Sequence, residues 1–214
     1  MAVIHRTTVS PTKLELLTEW LPTRPWYRGG PTPVLEKSGG FRLDDPDGEV
    51  GIEFMVVTDA SGPEPTAYLV PLTYRGAPLA GAERALVGTM EHGVLGTRWA
   101  YDGCHDPVLV TESLALIEGR AQAQAQSLTD TPDHEVTRAC TGGPLPAAVA
   151  PAPAADDDTG TRVPLPQGLT LHVHRVLDAS APTPPEDALG HVAGVWQGQD
   201  GERARAVLMV LRGA

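Results

Sequence analysis

A segment that cannot form a core of its own divides this sequence. Residues 142–160 consist largely of Ala, Pro and Asp and include three consecutive aspartates. Such a composition buries too little apolar surface to offset the entropy lost when the chain is ordered, so it is typical of a mobile linker or a long surface loop. We therefore predict a domain at residues 1–120, a linker or long loop at residues 121–162 and a small subdomain at residues 163–214.

Charge and length exclude several classes of protein. The 214 residues include 27 Asp and Glu against 16 Lys and Arg, so the formal net charge is −11. This balance argues against a nucleic-acid partner, because phosphate binding requires a basic surface. The length allows a sizeable buried core. A composition of 41% hydrophobic and 20% charged residues is typical of a globular chain.

Cysteine usage and hydropathy indicate the compartment. The first residues lack the apolar run of a signal peptide, and no window approaches the roughly 20 apolar residues that span a bilayer. The two cysteines, Cys104 and Cys140, lie far apart and outside any CxxC pair. Two free thiols are favoured over one disulfide, as in a reducing compartment. We expect a cytoplasmic protein with no membrane partner.

The pattern of breakers and apolar residues predicts an α+β fold. Ser10 as N-cap and Pro11 at the first helical position predict a helix that ends at Pro22, and Asp106 and Pro107 repeat this signature before a second helix. Strands are predicted at residues 2–9, 49–58, 66–74, 95–101, 169–177, 192–197 and 204–211. This order favours a mainly antiparallel sheet with packed helices, followed by a small antiparallel β subdomain.

A Pro- and Gly-rich segment at residues 22–40 is predicted to be a loop, and it carries the pair Trp26 and Tyr27. Aromatic rings in such a loop either stack on a planar ligand or fold back to seal the core. The core position is favoured here, and the ligand platform is the alternative.

The histidines suggest two further hypotheses. His172 and His174 alternate on a predicted strand and so share a face, and His191 would complete a set of three imidazoles that suits zinc. No thiol or carboxylate stands at ligand spacing around them, so a solvent-facing pair is favoured and no cofactor is expected. The neighbours Cys104 and His105 resemble a nucleophile and its base, but adjacent residues rarely form such a dyad.

Three segments carry a family resemblance together. They read Leu-Pro-Thr-Arg-Pro-Trp-Tyr-Arg-Gly-Gly at residues 21–30, Tyr-Leu-Val-Pro-Leu-Thr-Tyr-Arg at residues 68–75 and Tyr-Asp-Gly-Cys-His-Asp-Pro at residues 101–107. In this order and spacing they resemble the N-terminal cap domain of actinobacterial maltokinases, over about half of the chain. The resemblance implies a curved, cystatin-like antiparallel sheet packed on helices. The strand at residues 171–177 more faintly resembles a kinase N-lobe strand, with His172 where the ATP-contacting lysine would stand.

The resemblance also implies a function. The catalytic Asp, the metal-binding pair and the helical C-lobe of such kinases have no counterpart, so kinase activity is not expected. We predict a non-catalytic cap-like module acting in trans on a kinase or another enzyme of trehalose, maltose or glycogen metabolism. The predicted contact residues are Trp26, Tyr27, Arg28, Tyr74, Arg75 and His105. The alternative is a small metal- or His-dependent enzyme, or a ligand-binding protein, that uses a pocket between the two subdomains. The oligomeric state stays open.

Overall fold

The computed structural model describes residues 8–126, 128, 131–150, 153–198 and 201–213. Its helices are α1 (Lys13–Trp20) and α2 (Pro107–Glu118). Its strands are β1 (Val9–Ser10), β2 (Leu35–Leu43), β3 (Gly51–Asp59), β4 (Thr66–Arg75), β5 (Leu86–His92), β6 (Gly96–Asp102), β7 (Gln124–Ala125), β8 (Thr137–Cys140), β9 (Ala155–Asp156), β10 (Gly160–Pro164), β11 (Leu169–His174), β12 (Gly190–Gln197) and β13 (Arg203–Gly213). Single 3-10 turns lie at Leu21–Thr23, Glu83–Ala85, Gly103–His105 and Pro166–Gly168.

All thirteen strands belong to one antiparallel sheet, which confirms the α+β class and the antiparallel pairing. The order is β1-β5-β6-β4-β3-β2-β12-β13-β11-β10-β9, with β7 beside β2 and β8 beside β12. The strands from the two ends of the chain meet where Trp196 of β12 pairs with Gly39 of β2. Most of the strand predicted at residues 2–9 lies outside the described residues.

The sheet curls so that β4 and the chain beyond β11, which lie far apart in the strand order, come into contact. Beyond β11 the chain runs along the first half of β4, where the Leu69 N–H donates to the Arg175 carbonyl and the Leu177 N–H to the Ala67 carbonyl, both at 2.9 Å. The path β4-β3-β2-β12-β13-β11 therefore returns to β4 and forms a closed ring of strands. The last strands are thus part of the same sheet as the first.

Helix α2 packs into the main core, to which strands from both halves of the chain contribute. Asp106 caps the helix by accepting the Val108 N–H at 3.0 Å, Pro107 is its first residue, and Gly119 ends it in the left-handed conformation at φ 93°. Leu114 and Ile117 are fully buried in this core, as are Phe41 and Phe54, whose rings stack 4.5 Å apart.

Helix α1 covers the opposite face of β3 and β4, where Leu17 and Trp20 pack in a second core. Its N-cap is Thr12, so the prediction of Ser10 was wrong. The Thr12 hydroxyl accepts the Glu15 N–H, and the Glu15 carboxylate accepts the Thr12 N–H, which together form a capping box. The reciprocal pair satisfies two N–H groups at once. Neither described α-helix has the length and apolar character needed to cross a membrane.

Within residues 1–120, two strands lie where none was predicted. β2 runs through the predicted loop, and its pairing with β3 shifts register between Lys37 and Gly39. Gly40 has a φ of +126°, and a Cβ there would lie 2.1 Å from the Phe54 carbonyl, so glycine permits the close approach of the two strands. β5 pairs with β6 in a hairpin; Gly88 interrupts the apolar alternation by which sequence analysis recognises such a strand.

The predicted linker includes β7, β8 and β9. Within it Ala123 and Val149 are buried in the main core. The Val149 N–H donates to the hydroxyl of Thr111 on α2 at 3.1 Å, which ties the segment to that helix. The division of the chain into separately folding domains stays a prediction.

Candidate functional site

A cavity of about 460 Å³ opens between α1, β3, β4 and β6. Five polar residues characterise it, and we call it the Glu53 pocket. They are Lys13 from α1, Glu53 from β3, Tyr74 from β4, Arg98 from β6 and Gln126 after β7. The volume lies in the range of small-molecule sites.

Glu53 lies at the centre of the polar part of this pocket. Because side chains alternate along β3, Ile52 and Phe54 enter the main core while Glu53 faces α1. The Glu53 side chain is almost fully buried. Its carboxylate accepts hydrogen bonds from the Lys13 ammonium, the Tyr74 hydroxyl at 2.7 Å and the Gln126 amide at 2.8 Å. A buried charge of this kind requires such partners, because burying it unpaired is costly.

The charges of the pocket hold these groups in fixed protonation states. Burial alone would raise the pKa of Glu53, but the charge of Lys13 and the hydrogen bonds from Lys13 and Tyr74 outweigh it and lower that pKa. Burial and the Glu53 charge raise the pKa of Tyr74 well above its ordinary value. Glu53 is therefore an ionised acceptor and Tyr74 a neutral donor at pH 7. Neither is poised for proton transfer at that pH.

The predicted aromatic pair lies away from this pocket. Trp26 is fully buried, with its ring 5.8 Å from those of Trp20 and Tyr68, so it has the core position that the sequence favours. Tyr27 is half-buried, and its hydroxyl donates to the Asp59 carboxylate at 2.7 Å. Burial, with the Asp59 charge, raises the pKa of Tyr27 to about 12, so the phenol stays neutral.

The other predicted contact residues are spread over the structure. Arg75 makes two hydrogen bonds of 2.7 Å to Asp106, which join β4 to the N-cap of α2 and raise the pKa of Arg75. His105 is half-buried in the turn before that helix, and Arg28 is exposed. Of the six predicted contact residues, Tyr74 alone lines the Glu53 pocket.

The three histidines do not converge. His172 and His174 share a face of β11 with their rings 4.9 Å apart. His191 lies on β12, beyond the intervening Val210 of β13, which pairs with both His172 and His191. Among the residues that the structure describes, no three His, Cys, Asp or Glu side chains are close enough together to hold a metal ion.

The arrangement of the two free thiols does not favour nucleophilic chemistry either. Cys104 is buried and Cys140 is partly buried, and they are not bonded to each other. Burial raises the pKa of the Cys104 thiol far above its ordinary value, which disfavours the thiolate that a nucleophile needs.

The half-buried His172 leads to a first prediction. Burial and the charge of His174 lower its pKa from 6.5 to about 4. An unfolded chain therefore binds a proton below pH 6.5 that the folded chain refuses until about pH 4, so stability falls over that window and is unaffected above it. Allowing for solvent screening, we expect His172→Gln to remove about 1 kcal/mol of this loss. Urea unfolding at pH 7, 5.5 and 4.5 measures it.

The control for this prediction is His134→Gln, at an exposed histidine. Its pH dependence should match that of the parent protein. An identical fall in stability for His172→Gln and the parent protein would contradict the prediction.

A buried ion pair joins strand β6 to the chain beyond β11. Arg175, after β11, is fully buried, and its guanidinium donates to both oxygens of Asp102 on β6, at 2.5 and 2.6 Å, and to the Thr161 hydroxyl at 2.8 Å. It also lies 5.2 Å from the Trp26 ring. Burial alone would lower the pKa of Arg175, but the charge of Asp102 raises it, so the ion pair persists.

Sequence reasoning missed the residues that organise these sites. Glu53 had a detectable signal, since it is the single charge within the apolar run of β3. A charged residue within such an apolar run is rarely buried unless it is paired with a group of opposite charge. Arg175 likewise follows the alternating strand β11. Their partners, Lys13 and Asp102, lie 40 and 73 residues away, and no local pattern identifies them.

Part of this chain matches a known protein family. Residues 20–106 match the maltokinase N-terminal cap domain, which confirms the resemblance over that segment. The match runs from the end of α1 to the N-cap of α2 and includes Glu53 and Tyr74, whereas Lys13 and Arg175 lie outside it. No curated protein matches the chain.

Proposed function

We propose that this protein is a non-catalytic cap-like module that binds, in trans, a kinase or another enzyme of trehalose, maltose or glycogen metabolism. The match of residues 20–106 to the maltokinase N-terminal cap domain carries the proposal. The proposal includes a cystatin-like packing of sheet and helices, a cytoplasmic location and an actinobacterial origin, as in the enzymes that the sequence resembles.

The use of the ionisable groups supports a binding role. Glu53, Asp106 and Asp102 are each held by structural donors, from Lys13, Arg75 and Arg175. A general acid or base instead needs a proton that it can exchange near pH 7. These carboxylates stabilise the scaffold, which leaves the surface for recognition.

Arg28 is the best-placed contact of the predicted set. It lies in the matched segment on an exposed loop, and its backbone N–H donates to the Tyr68 hydroxyl at 2.8 Å, which anchors the loop on the core. Its guanidinium has only a long contact of 3.4 Å with the Asp158 carbonyl. A rigid loop that presents a cation suits an acidic group on a partner.

Charge reversal at this position tests the proposal. The binding partner is a maltokinase from which its own N-terminal cap has been deleted, and biolayer interferometry measures the affinity. We expect a complex with the parent protein and an affinity about tenfold lower for Arg28→Glu, because the substitution places like charges together. Arg84→Glu, at an exposed arginine on a 3-10 turn, should bind like the parent protein.

Two results would count against it. One is the absence of any complex at about 10 µM of both proteins, which would remove action on a kinase in trans. The other is an equal loss for Arg28→Glu and Arg84→Glu, which would indicate a general effect of charge and move the contact away from Arg28.

The Glu53 pocket supports the ligand-binding alternative. The Glu53 pocket is lined by residues between Val9 and Gln126. It therefore lies within the predicted first domain plus the start of the linker, and the subdomain at residues 163–214 does not line it.

A further inference from the structure

In the Glu53 pocket, the side chains of Arg98 and Lys13 have N–H groups that no acceptor in the described part of the chain uses. Arg98 lines it, and its guanidinium makes no hydrogen bond or ion pair with any described residue. Lys13 gives one of its three N–H groups to Glu53 and lies 4.9 Å from the Tyr74 ring centre, with 36% of its side chain exposed. An ammonium has three donors and a guanidinium five, so both cations retain unused N–H groups.

Two of the three carboxylates that line the pocket, Glu53 and Asp45, are by contrast already occupied. Glu53 accepts three hydrogen bonds from protein side chains. Asp45 accepts the backbone N–H groups of Asp47, Glu49 and Val50 at 2.8 to 3.1 Å, which builds the turn before β3. The Glu49 side chain is exposed. An occupant therefore meets free cationic donors and few free acceptors, so it has to bring acceptors and negative charge of its own.

The rest of the wall is apolar. The buried Met90 lines the cavity, and Leu95 and Val9 line it nearer the surface. A fully hydrated inorganic anion gains nothing from such a wall. An apolar body attached to the anionic group gains about 25 cal/mol for each Å² removed from water.

We infer that the Glu53 pocket is a binding site for a small organic carboxylate with an apolar body. The carboxylate lies on the Arg98 guanidinium, whose parallel N–H groups match two carboxylate oxygens, with the Lys13 ammonium as a further donor. The apolar body packs on Val9, Met90 and Leu95. A cavity of about 460 Å³ accepts a ring or a short chain.

Matched pairs of probes test the chemistry by isothermal titration calorimetry. Hexanoate and benzoate carry the predicted group, and hexan-1-ol and benzyl alcohol carry the same bodies without the charge. Inorganic phosphate carries charge without a body. We expect saturable one-site binding of at least one carboxylate, and affinities at least tenfold lower for its alcohol and for phosphate. Equal binding of acid and alcohol, tighter binding of phosphate, or no carboxylate binding up to about 20 mM would overturn the inference.

One substitution locates the site. Arg98→Gln should weaken carboxylate binding about tenfold or more and leave alcohol binding unchanged, since it removes the charge and keeps a polar side chain. Arg84→Gln is the matched control and should bind the acid like the parent protein. A thermal melt confirms that both variants are folded. Unchanged carboxylate binding by a folded Arg98→Gln would overturn the assignment. The inference is independent of the trans partner, because Arg28 plays no part in it.

Discussion

Replacing Arg175 by methionine is expected to destabilise the protein by about 3–5 kcal/mol, among the largest effects of any single substitution. Methionine keeps much of the buried volume but leaves the Asp102 carboxylate buried without its cation. It also removes the hydrogen bond to Thr161 and the contact with Trp26. Urea denaturation of parent and variant measures the difference in the free energy of unfolding.

A double-mutant cycle separates the ion pair from the volume of the side chain. Asp102→Asn alone should also be strongly destabilising, whereas combining it with Arg175→Met should cost less than the sum of the two, because no buried charge then lacks a partner. Arg162→Met is the control, since Arg162 pairs with Asp157 while 65% exposed and should change stability by less than about 1 kcal/mol. Strictly additive losses at Arg175 and Asp102 would contradict a coupled pair.

Local signals in the sequence predict the elements whose ends are set by their own residues. Asp106, Pro107 and Gly119 specify both ends of α2, and the apolar strands β3 and β4 appear close to their predicted bounds. Even the misplaced start of α1 had a local signal. Thr12 and Glu15 stand three apart as a capping box requires, although Ser10-Pro11 imitates a helix start just before them.

The elements that were missed depend on partners far away in sequence. β2 contains Gly39 and Gly40, which favour loop over strand in isolation. The pairing of β2 with β3 on one side and with β12 on the other makes it a strand. The Glu53 pocket also depends on partners far away in sequence, because Lys13, Tyr74 and Gln126 come from three separate segments that the fold brings together. Sequence analysis identified Tyr74 as a contact by resemblance and had no means of joining it to Glu53.

Removing residues 163–214 is expected to abolish cooperative folding of the segment that matches the cap domain. The ring of strands loses β11, β12 and β13, so β2 loses its pairing with β12, and one edge of the first half of β4 loses its pairing with the chain beyond β11. Asp102 loses Arg175. The main core loses buried side chains that include Leu171, Val192 and Met209, which exceeds what a stability of 5–15 kcal/mol tolerates. Near-UV circular dichroism and urea unfolding of residues 1–162 measure the outcome.

The matched control keeps every residue of the chain, but its backbone is cut at one place. A protease site inserted between residues 152 and 153 allows the purified chain to be cut, and the nicked protein should still unfold in one cooperative transition, because the sheet holds both pieces. The fragment alone should show no such transition. If residues 1–162 instead unfold cooperatively near the parent midpoint, the chain has two domains, as its Ala-, Pro- and Asp-rich segment predicts. If they do not, that segment is a long connection within one domain, and a cap-like segment here folds only with strands supplied from beyond it.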